Sequence, residues 1–328
     1  MVNRILIVGY GSAGKRYHKI IKKKFSPIEL KIFSLNKNNK DSIFLKNKSE
    51  IKNFDPQLSI ICTPATKRVE IIKFLIELKS HLLIEKPLAS NLKEAKRISN
   101  YLKKKNLIIK IGYNLRFLNS LNTLNNFIKS QKLGKIYFVD IFAGQNLLEW
   151  RKNSNYKNTV SAKKQLGGGV LLELSHEIDY ANWIFGDFSK IFCKIFKVSN
   201  LKIDVEDTAK ILLFSKKKYS INISIDFCRK DKIRKCYVTA ENGNLIWDGL
   251  KNKLFFFDIL KKKWINISFK INTINDTYFL QLKEMIKLCR YKKKIDSNLV
   301  DFSDASKTLK LIDCARNSSR YSKAVKIK

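Results

Sequence analysis

Three segments of this 328-residue chain combine residue types that can do chemistry. The first is Gly9-Tyr10-Gly11-Ser12-Ala13-Gly14, which follows the apolar run Ile5-Leu6-Ile7-Val8 and opens a helical pattern. In such a strand-turn-helix the first glycine permits a tight turn and the second lets backbone approach a pyrophosphate. The third lets the helix pack close to the strand, and the helix N-terminus then faces the anion. The spacing predicts a dinucleotide cradle built from Gly9, Gly11, Ser12, Ala13 and Gly14. An NAD site places an acid about 20 residues further on, where it holds the ribose 2′-hydroxyl. Here that point is Ser34, with Lys37 just beyond it, and the nearest acid, Glu29, comes too early. A hydroxyl and a cation suit a 2′-phosphate, so the expected cofactor is NADP or NAD with a lean to NADP.

The second segment is a pair of strand ends, Cys62-Thr63-Pro64 and Glu85-Lys86-Pro87. In open α/β sheets ligands bind outside the carboxyl ends of the strands, so both pairs fall on the side of the glycine turn. Pro87 disfavours the α region for Lys86, and a lysine held there can supply a fixed charge or a proton. The third is Gly167-Gly168-Gly169 running into Val170 to Tyr180, with Glu173, His176, Glu177 and Asp179 inside it. On one continuous helix Glu173 and His176, three apart, would meet. Imidazole beside carboxylates is a sound general acid/base near neutral pH. His-Glu-x-x continues to Tyr180 rather than to a second histidine, so no metal site is expected.

These segments need particular elements to position them. Up to about residue 111, short apolar runs (4–8, 28–33, 58–62, 82–84, 107–111) alternate with helical patterns (14–24, 68–79, 91–104), which predicts a doubly wound parallel sheet. Beyond 120 come a helix over 121–130, a strand over 135–142 and a single helix over 170–185. Seven strand-like runs then lie between 189 and 269 with turn signals such as Glu241-Asn242-Gly243-Asn244, and helices over 275–291 and 301–318 close the chain. The fold class expected is therefore α/β, with a Rossmann-type domain over 1–118. A second, α+β domain over 119–328 carries a large, mostly antiparallel open sheet.

Lys and Arg total 66 against 28 acidic residues, a formal charge of +38. The excess is spread, at +17 over residues 1–115 and +21 over the rest, and no nucleic-acid-binding motif accompanies it, so no specific nucleic-acid partner is expected. The six cysteines form no C-x-x-C pair and no leader-like stretch precedes Arg4, which reads as reduced thiols in a cytoplasmic protein. No apolar run reaches the roughly 18 residues a membrane span needs, so no membrane partner is expected either.

Taken together, the segments resemble the Gfo/Idh/MocA oxidoreductases, the family of glucose-fructose oxidoreductase and inositol dehydrogenase. The resemblance rests on Gly9 to Gly14, Thr63-Pro64, Glu85-Lys86-Pro87, Gly112-Tyr113-Asn114-Leu115-Arg116-Phe117 and the glycine run leading to His176-x-x-Asp179. Trp150-Arg151, Tyr156, Ser161-Ala162 and Val205-Glu206-Asp207-Thr208-Ala209 further resemble a branch associated with cell-surface carbohydrate gene clusters. The resemblance implies a hydride transfer between a nicotinamide and a ring carbon of a sugar, nucleotide-sugar or cyclitol. It makes Lys86 the active-site lysine and His176 the catalytic histidine, assisted by Glu173, Glu177 or Asp179. Thr63, Pro64, Glu85, Lys86 and Asn114 would lie at the cofactor, with Asn114 and Arg116 near nicotinamide or substrate. Trp150, Arg151 and Tyr156 would belong to a substrate loop, where an aromatic and a guanidinium suit a sugar bearing a phosphate or carboxylate. The family also implies a homodimer or homotetramer formed through the C-terminal sheet. Two other activities occur on this fold: redox-neutral, NAD-dependent glycoside processing and NAD(P) sensing without turnover.

Overall fold

The computed structural model describes residues 2–34, 41–103, 105–150, 155–291 and 297–327. It resolves into two units, Met1–Asn114 with Asn275–Ser306, and Leu115–Ile274 with Lys307–Lys328.

The first unit opens with β1 (Arg4–Val8), α1 (Ser12–Lys24), β2 (Glu29–Phe33), β3 (Phe44–Leu45), α2 (Lys48–Phe54) and β4 (Leu58–Ile61). It continues with α3 (Val69–Glu77), β5 (His81–Glu85), α4 (Leu92–Leu102) and β6 (Ile109–Gly112). Ile5, Leu6, Ile7, Leu82, Leu83 and Ile84 are all fully buried. An unbroken apolar run of this kind is the mark of a strand covered on both faces. β1 pairs in parallel with β2 and β4, and β5 with β4 and β6; α1, α3 and α4 make the crossovers from β1 to β2, β4 to β5 and β5 to β6. Sequence periodicity does not reveal β3 or α2, because β3 has two residues and α2 buries only Ile51. What starts α2 is Asn47, whose side chain accepts from Glu50 N.

The second unit begins with α5 (Asn119–Lys129), β7 (Ile136–Gly144), α6 (Val170–Glu173) and α7 (Ser175–Phe185). Its strands follow: β8 (Phe188–Phe196), β9 (Thr208–Ser215), β10 (Ser220–Asp226), β11 (Ile233–Ala240), β12 (Gly243–Asp248), β13 (Lys253–Asp258) and β14 (Lys263–Asn266). The chain ends with α8 (Ile274–Tyr291), β15 (Val300–Asp301), α9 (Phe302–Tyr321) and β16 (Val325–Lys326). The second sheet runs β14-β13-β12-β11-β7-β10-β9-β8-β16 and is antiparallel except where β7 and β10 run parallel. Val139, Ile141, Ile221 and Ile223 are buried on its inner face, while their neighbours Asp140, Phe142 and Asn222 are outward and partly exposed, the period of two of a one-sided sheet. Trp247, fully buried, packs edge-on against Tyr180 of α7 at 5.4 Å and donates to Ser120 Oγ of α5 at 2.8 Å. One side chain thus joins two helices to the sheet.

Two sequence expectations are revised. A single division at residue 118 assigns everything after it to the second unit, whereas 275–306 return to the first. Val300 and Asp301 pair with Ile111 and Lys110 and extend the first sheet to β15-β6-β5-β4-β1-β2-β3, and Gln281 of α8 donates to Tyr17 OH of α1 at 2.6 Å. The helix expected over 170–185 is two helices, because Leu174 leaves the helical region at φ −100°, ψ 31°.

Trp247→Ala removes a buried indole, its hydrogen bond and its contact with Tyr180. It should cost about 3–5 kcal/mol, seen as a lower denaturation midpoint with the slope unchanged, and Trp247→Phe should cost less.

Candidate functional site

The glycine turn of the first unit is shaped by close approach. Gly9 has φ +93°, and a Cβ there would lie 2.9 Å from the Cys62 and Thr63 backbone; one on Gly14 would lie 2.1 Å from Gly9 O. At Gly11 a Cβ would meet no protein atom within 4 Å, so the backbone faces open space where a pyrophosphate would approach. α1 starts there with no side-chain cap and no acid in its first turn, leaving its N–H groups and positive dipole end to an anion. From Ser12 a groove of about 610 Å³ runs along α1 past Lys15, Arg16 and Lys19 to Lys23 and Lys24, with Asn275, Asp276 and Phe279 of α8 on its other side. Its cations outnumber its one carboxylate, which suits an anion held at the start of α1. Ser34 directly follows β2, and Lys37 falls outside the described residues.

The two strand ends are held by an arginine that motif reading does not single out. Arg68, 3% exposed, donates Nε and Nη2 to Thr63 O at 3.0 and 2.8 Å, and Nη1 to Glu85 O and Pro87 O. Its guanidinium therefore ties the Thr63-Pro64 turn to the backbone around Lys86. Thr63 Oγ1 is buried without a hydrogen bond. Glu85 points inward, where Oε1 accepts from Tyr17 OH at 2.8 Å, and Tyr17 OH in turn accepts from Gln281. Burial pushes the Glu85 carboxyl above the usual glutamate range, against the Tyr17 hydrogen bond and the charges of Lys86, Arg68 and Arg16. Burial, then the Glu85 charge, pushes the Tyr17 phenol up in turn. Lys86, next in sequence, is partly exposed. Asn114 is buried and donates Nδ2 to Thr277 Oγ1 of α8 at 2.7 Å.

In the second unit His176 sits in the first turn of α7 and is 8% exposed. Each nearby carboxylate has a cation or donor of its own. Glu173, at the end of α6, accepts from Ser161 Oγ at 2.7 Å. Glu177, fully buried, accepts from Arg234 Nε of β11 at 2.8 Å. Asp179 takes both arms of Arg116, Nε to Oδ2 at 2.9 Å and Nη2 to Oδ1 at 2.8 Å, with both side chains at most 5% exposed. The same guanidinium lies 5.0 Å over the Trp183 ring. A bidentate pair of this kind fixes orientation as well as charge, so Arg116 and Asp179 lock α7 to the segment that opens the second unit. The break at Leu174 means that Glu173 and His176 do not share one helix. Glu206 receives Leu171 N of α6 at 3.3 Å, and Asp207 receives Val198 N and Ser199 N. Trp150 packs edge-on against Phe227 at 5.1 Å, Tyr156 OH accepts from Lys202 N, and Arg151 lies outside the described residues.

Sequence reasoning missed Arg68, Tyr17, Gln281 and Arg234. None belongs to a spacing motif, and only the folded chain brings them to their partners. Among the described residues no three of His, Cys, Asp or Glu converge as a metal site.

Residues 3–113 match the family model described as oxidoreductase family, NAD-binding Rossmann fold (GFO_IDH_MocA), and residues 121–246 match the GFO/IDH/MocA C-terminal domain. Among curated proteins, levoglucosan dehydrogenase of Pseudarthrobacter phenanthrenivorans is 28% identical over 42% of this chain and 35% of its own length. Glucose-6-phosphate 3-dehydrogenase of Bacillus subtilis is 27% identical over 45% of this chain and 44% of its own. The matched stretch thus spans less than half of these relatives. Among solved structures, levoglucosan dehydrogenase in complex with NADH superposes with a TM-score of 0.86 at 16% identity, covering 99% of both chains. An Agrobacterium radiobacter oxidoreductase in complex with NAD+, L-tartaric acid and magnesium gives 0.85 at 14%, covering 100% of this chain and 99% of that one. At these identities the superpositions show the fold.

Asp179→Asn removes the carboxylate charge that both arms of the buried Arg116 engage and should cost about 3–5 kcal/mol, whereas Arg116→Met with Asp179→Leu should recover most of that loss; denaturant unfolding of the three proteins decides it. A second expectation concerns pH. The folded pKa of Glu85 lies above the ordinary 4.5, so its contribution to stability is full below that pH and is lost as pH rises through the folded value. Glu85→Gln cannot titrate, and its stability relative to wild type should therefore climb as pH rises from 4.5. Unfolding midpoints of both proteins over a pH series would show this climb; a flat difference would mean that burial does not raise this carboxyl.

Proposed function

The chain belongs to the Gfo/Idh/MocA oxidoreductase family, and from that premise we propose an NAD(P)-dependent dehydrogenase or reductase acting on a ring hydroxyl or carbonyl of a sugar, nucleotide-sugar or cyclitol. The observation that carries the proposal is the glycine turn: open space at Gly11, an uncapped α1 N-terminus and a cationic cleft beside them. Gly9, Gly11, Ser12, Ala13 and Gly14 would hold the pyrophosphate, with Thr63, Pro64, Glu85 and Asn114 shaping the rest of the cofactor site. A bound nicotinamide supplies hydride transfer to or from the substrate carbon.

The proton is the task of the chain. When a secondary alcohol is oxidised its hydroxyl proton must leave as the hydride does, and His176 is the base that takes it; in reduction His176 returns it. Lys86 polarises the reacting oxygen through its fixed charge. Glu173 and Asp179 support His176 from neighbouring positions. Arg116, Trp150, Arg151 and Tyr156 complete the substrate side, the first by holding α7. Ser34 in place of an acid after β2 favours NADP over NAD.

The outward row Tyr237, Ile246 and Phe255, aligned across β11, β12 and β13, is partly exposed and apolar, which supports a homodimer or homotetramer built through this sheet. The six cysteines are unpaired, in keeping with a cytoplasmic location.

Energy transfer from protein tryptophan to NADH and NADPH, titrated separately, tests the cofactor. Saturable binding with the tighter partner NADPH is expected; no binding of either, with no nucleotide released on denaturation, overturns the reading. With a turning-over sugar in hand, His176→Ala and Lys86→Ala should each lower kcat by roughly 10²-fold or more while dinucleotide titrations stay saturable.

A further inference from the structure

The register of the second sheet gathers three separated segments at one rim. β7, β10, β12 and β14 start there and β9, β11 and β13 end there, as the pairs Phe138 with Ser220, Phe214 with Ser220, Ala240 with Gly243 and Asp258 with Lys263 require. Each segment brings three exposed lysines: Lys216–Lys218 between β9 and β10, Lys261–Lys263 after β13, and Lys129, Lys132 and Lys135 ahead of β7. The last group is tied to the rim by Glu241 N donating to Lys135 O and Asn242 N to Leu133 O. At about 4.8 Å per strand the lysines extend over roughly 25 Å. Of the carboxylates there, Asp258 Oδ1 accepts from Leu260 N and Lys261 N and folds its own turn, Glu241 accepts from Lys135 N, and Asp187 is exposed.

Charge alone does not mark this rim, because the whole chain is basic. Its distinguishing feature is an apolar tip. Between β13 and β14 stand Ile259, 46% exposed, and Leu260, at 90% the most exposed large apolar side chain among the described residues. Behind them Trp264, 45% exposed, packs edge-on against Phe257. Phosphate contacts by the lysines alone would need no protruding aliphatic pair beside them. An anionic bilayer uses one: apolar tips enter the acyl boundary, indoles settle at headgroup level and ammonium groups meet anionic headgroups.

We infer that this rim docks the protein peripherally on an anionic lipid surface, with Ile259 and Leu260 inserted and the three lysine groups on the headgroups. The orientation leaves the catalytic candidate free. α7 runs from His176 toward Phe185, which leads into β8 at the rim, and Arg234, bonded to Glu177, lies at the far end of β11. The His176 end of the unit therefore faces away from the lipid. The inference does not rest on the dehydrogenase reading, since its test needs no turnover.

The test is co-sedimentation of the full chain with phosphatidylcholine vesicles, with and without phosphatidylglycerol, at physiological salt. Binding only to the anionic vesicles is expected. Ile259→Ser with Leu260→Ser keeps the charge and should weaken partitioning roughly tenfold. Lys261→Ala, Lys262→Ala and Lys263→Ala together should weaken it roughly a hundredfold, while the same change at Lys197, Lys251 and Lys253, at the opposite end of this sheet, should do little because the attraction fades within a Debye length. Circular dichroism of each variant confirms folding. The inference falls if wild type does not sediment, if the serine variant binds like wild type, or if both lysine triples cost the same. It also falls if a single-stranded RNA oligonucleotide binds the rim and displaces the vesicles with no effect of the serine changes.

Discussion

A guanidinium or carboxylate taken out of water must find its partners where it is buried, and this constraint organises both units. Arg68 is almost fully enclosed, and the acceptors that satisfy it are backbone carbonyls at the ends of two strands. Those carbonyls belong to the turns carrying Thr63-Pro64 and Glu85-Lys86-Pro87, so satisfying one buried charge sets the positions of both. In the second unit the bidentate Arg116–Asp179 pair does the same for the helix that carries His176. Neither cation is spent on attraction for its own sake. Each turns the high cost of a misplaced buried charge into a narrow choice of backbone geometry.

A second constraint is the space around the glycine turn. Gly9 and Gly14 are required by protein atoms pressed against them, whereas a Cβ on Gly11 would meet no protein atom within 4 Å. The same motif therefore holds two kinds of glycine, two serving the packing of strand against helix and one leaving room for a ligand. The inward Glu85, with Tyr17 and Gln281 behind it, shows the other side of this arrangement. A conspicuous acid beside the candidate lysine is engaged in the interior, while the lysine itself remains partly exposed.

The second sheet divides its labour by face and by end. Its inner face builds the core around Trp247, and its outer face carries the partly exposed row Tyr237, Ile246 and Phe255. One end lies near Arg234 and the start of α7, and the other presents lysines around an exposed leucine. Strand register alone brings Lys217, Lys262 and Lys132 to the same rim although they are far apart in sequence.

By itself the sequence determined the parallel first sheet, the glycine turn and the largely antiparallel second sheet, because these depend on local periodicity and on residues a few positions apart. It also singled out Lys86 and His176, since their neighbours in sequence are distinctive. Only the tertiary structure decided what Arg68, Tyr17 and Arg234 do, because their partners lie 17, 68 and 57 residues away. It also decided that the helix expected over 170–185 breaks at Leu174, whose non-helical backbone angles put Glu173 and His176 on different helices. The return of 275–306 to the first unit belongs to the same class. Two residues of β15 carry no periodic signal of their own, and what places them is the free edge of β6, hydrogen-bonding groups that exist only once the first sheet has formed.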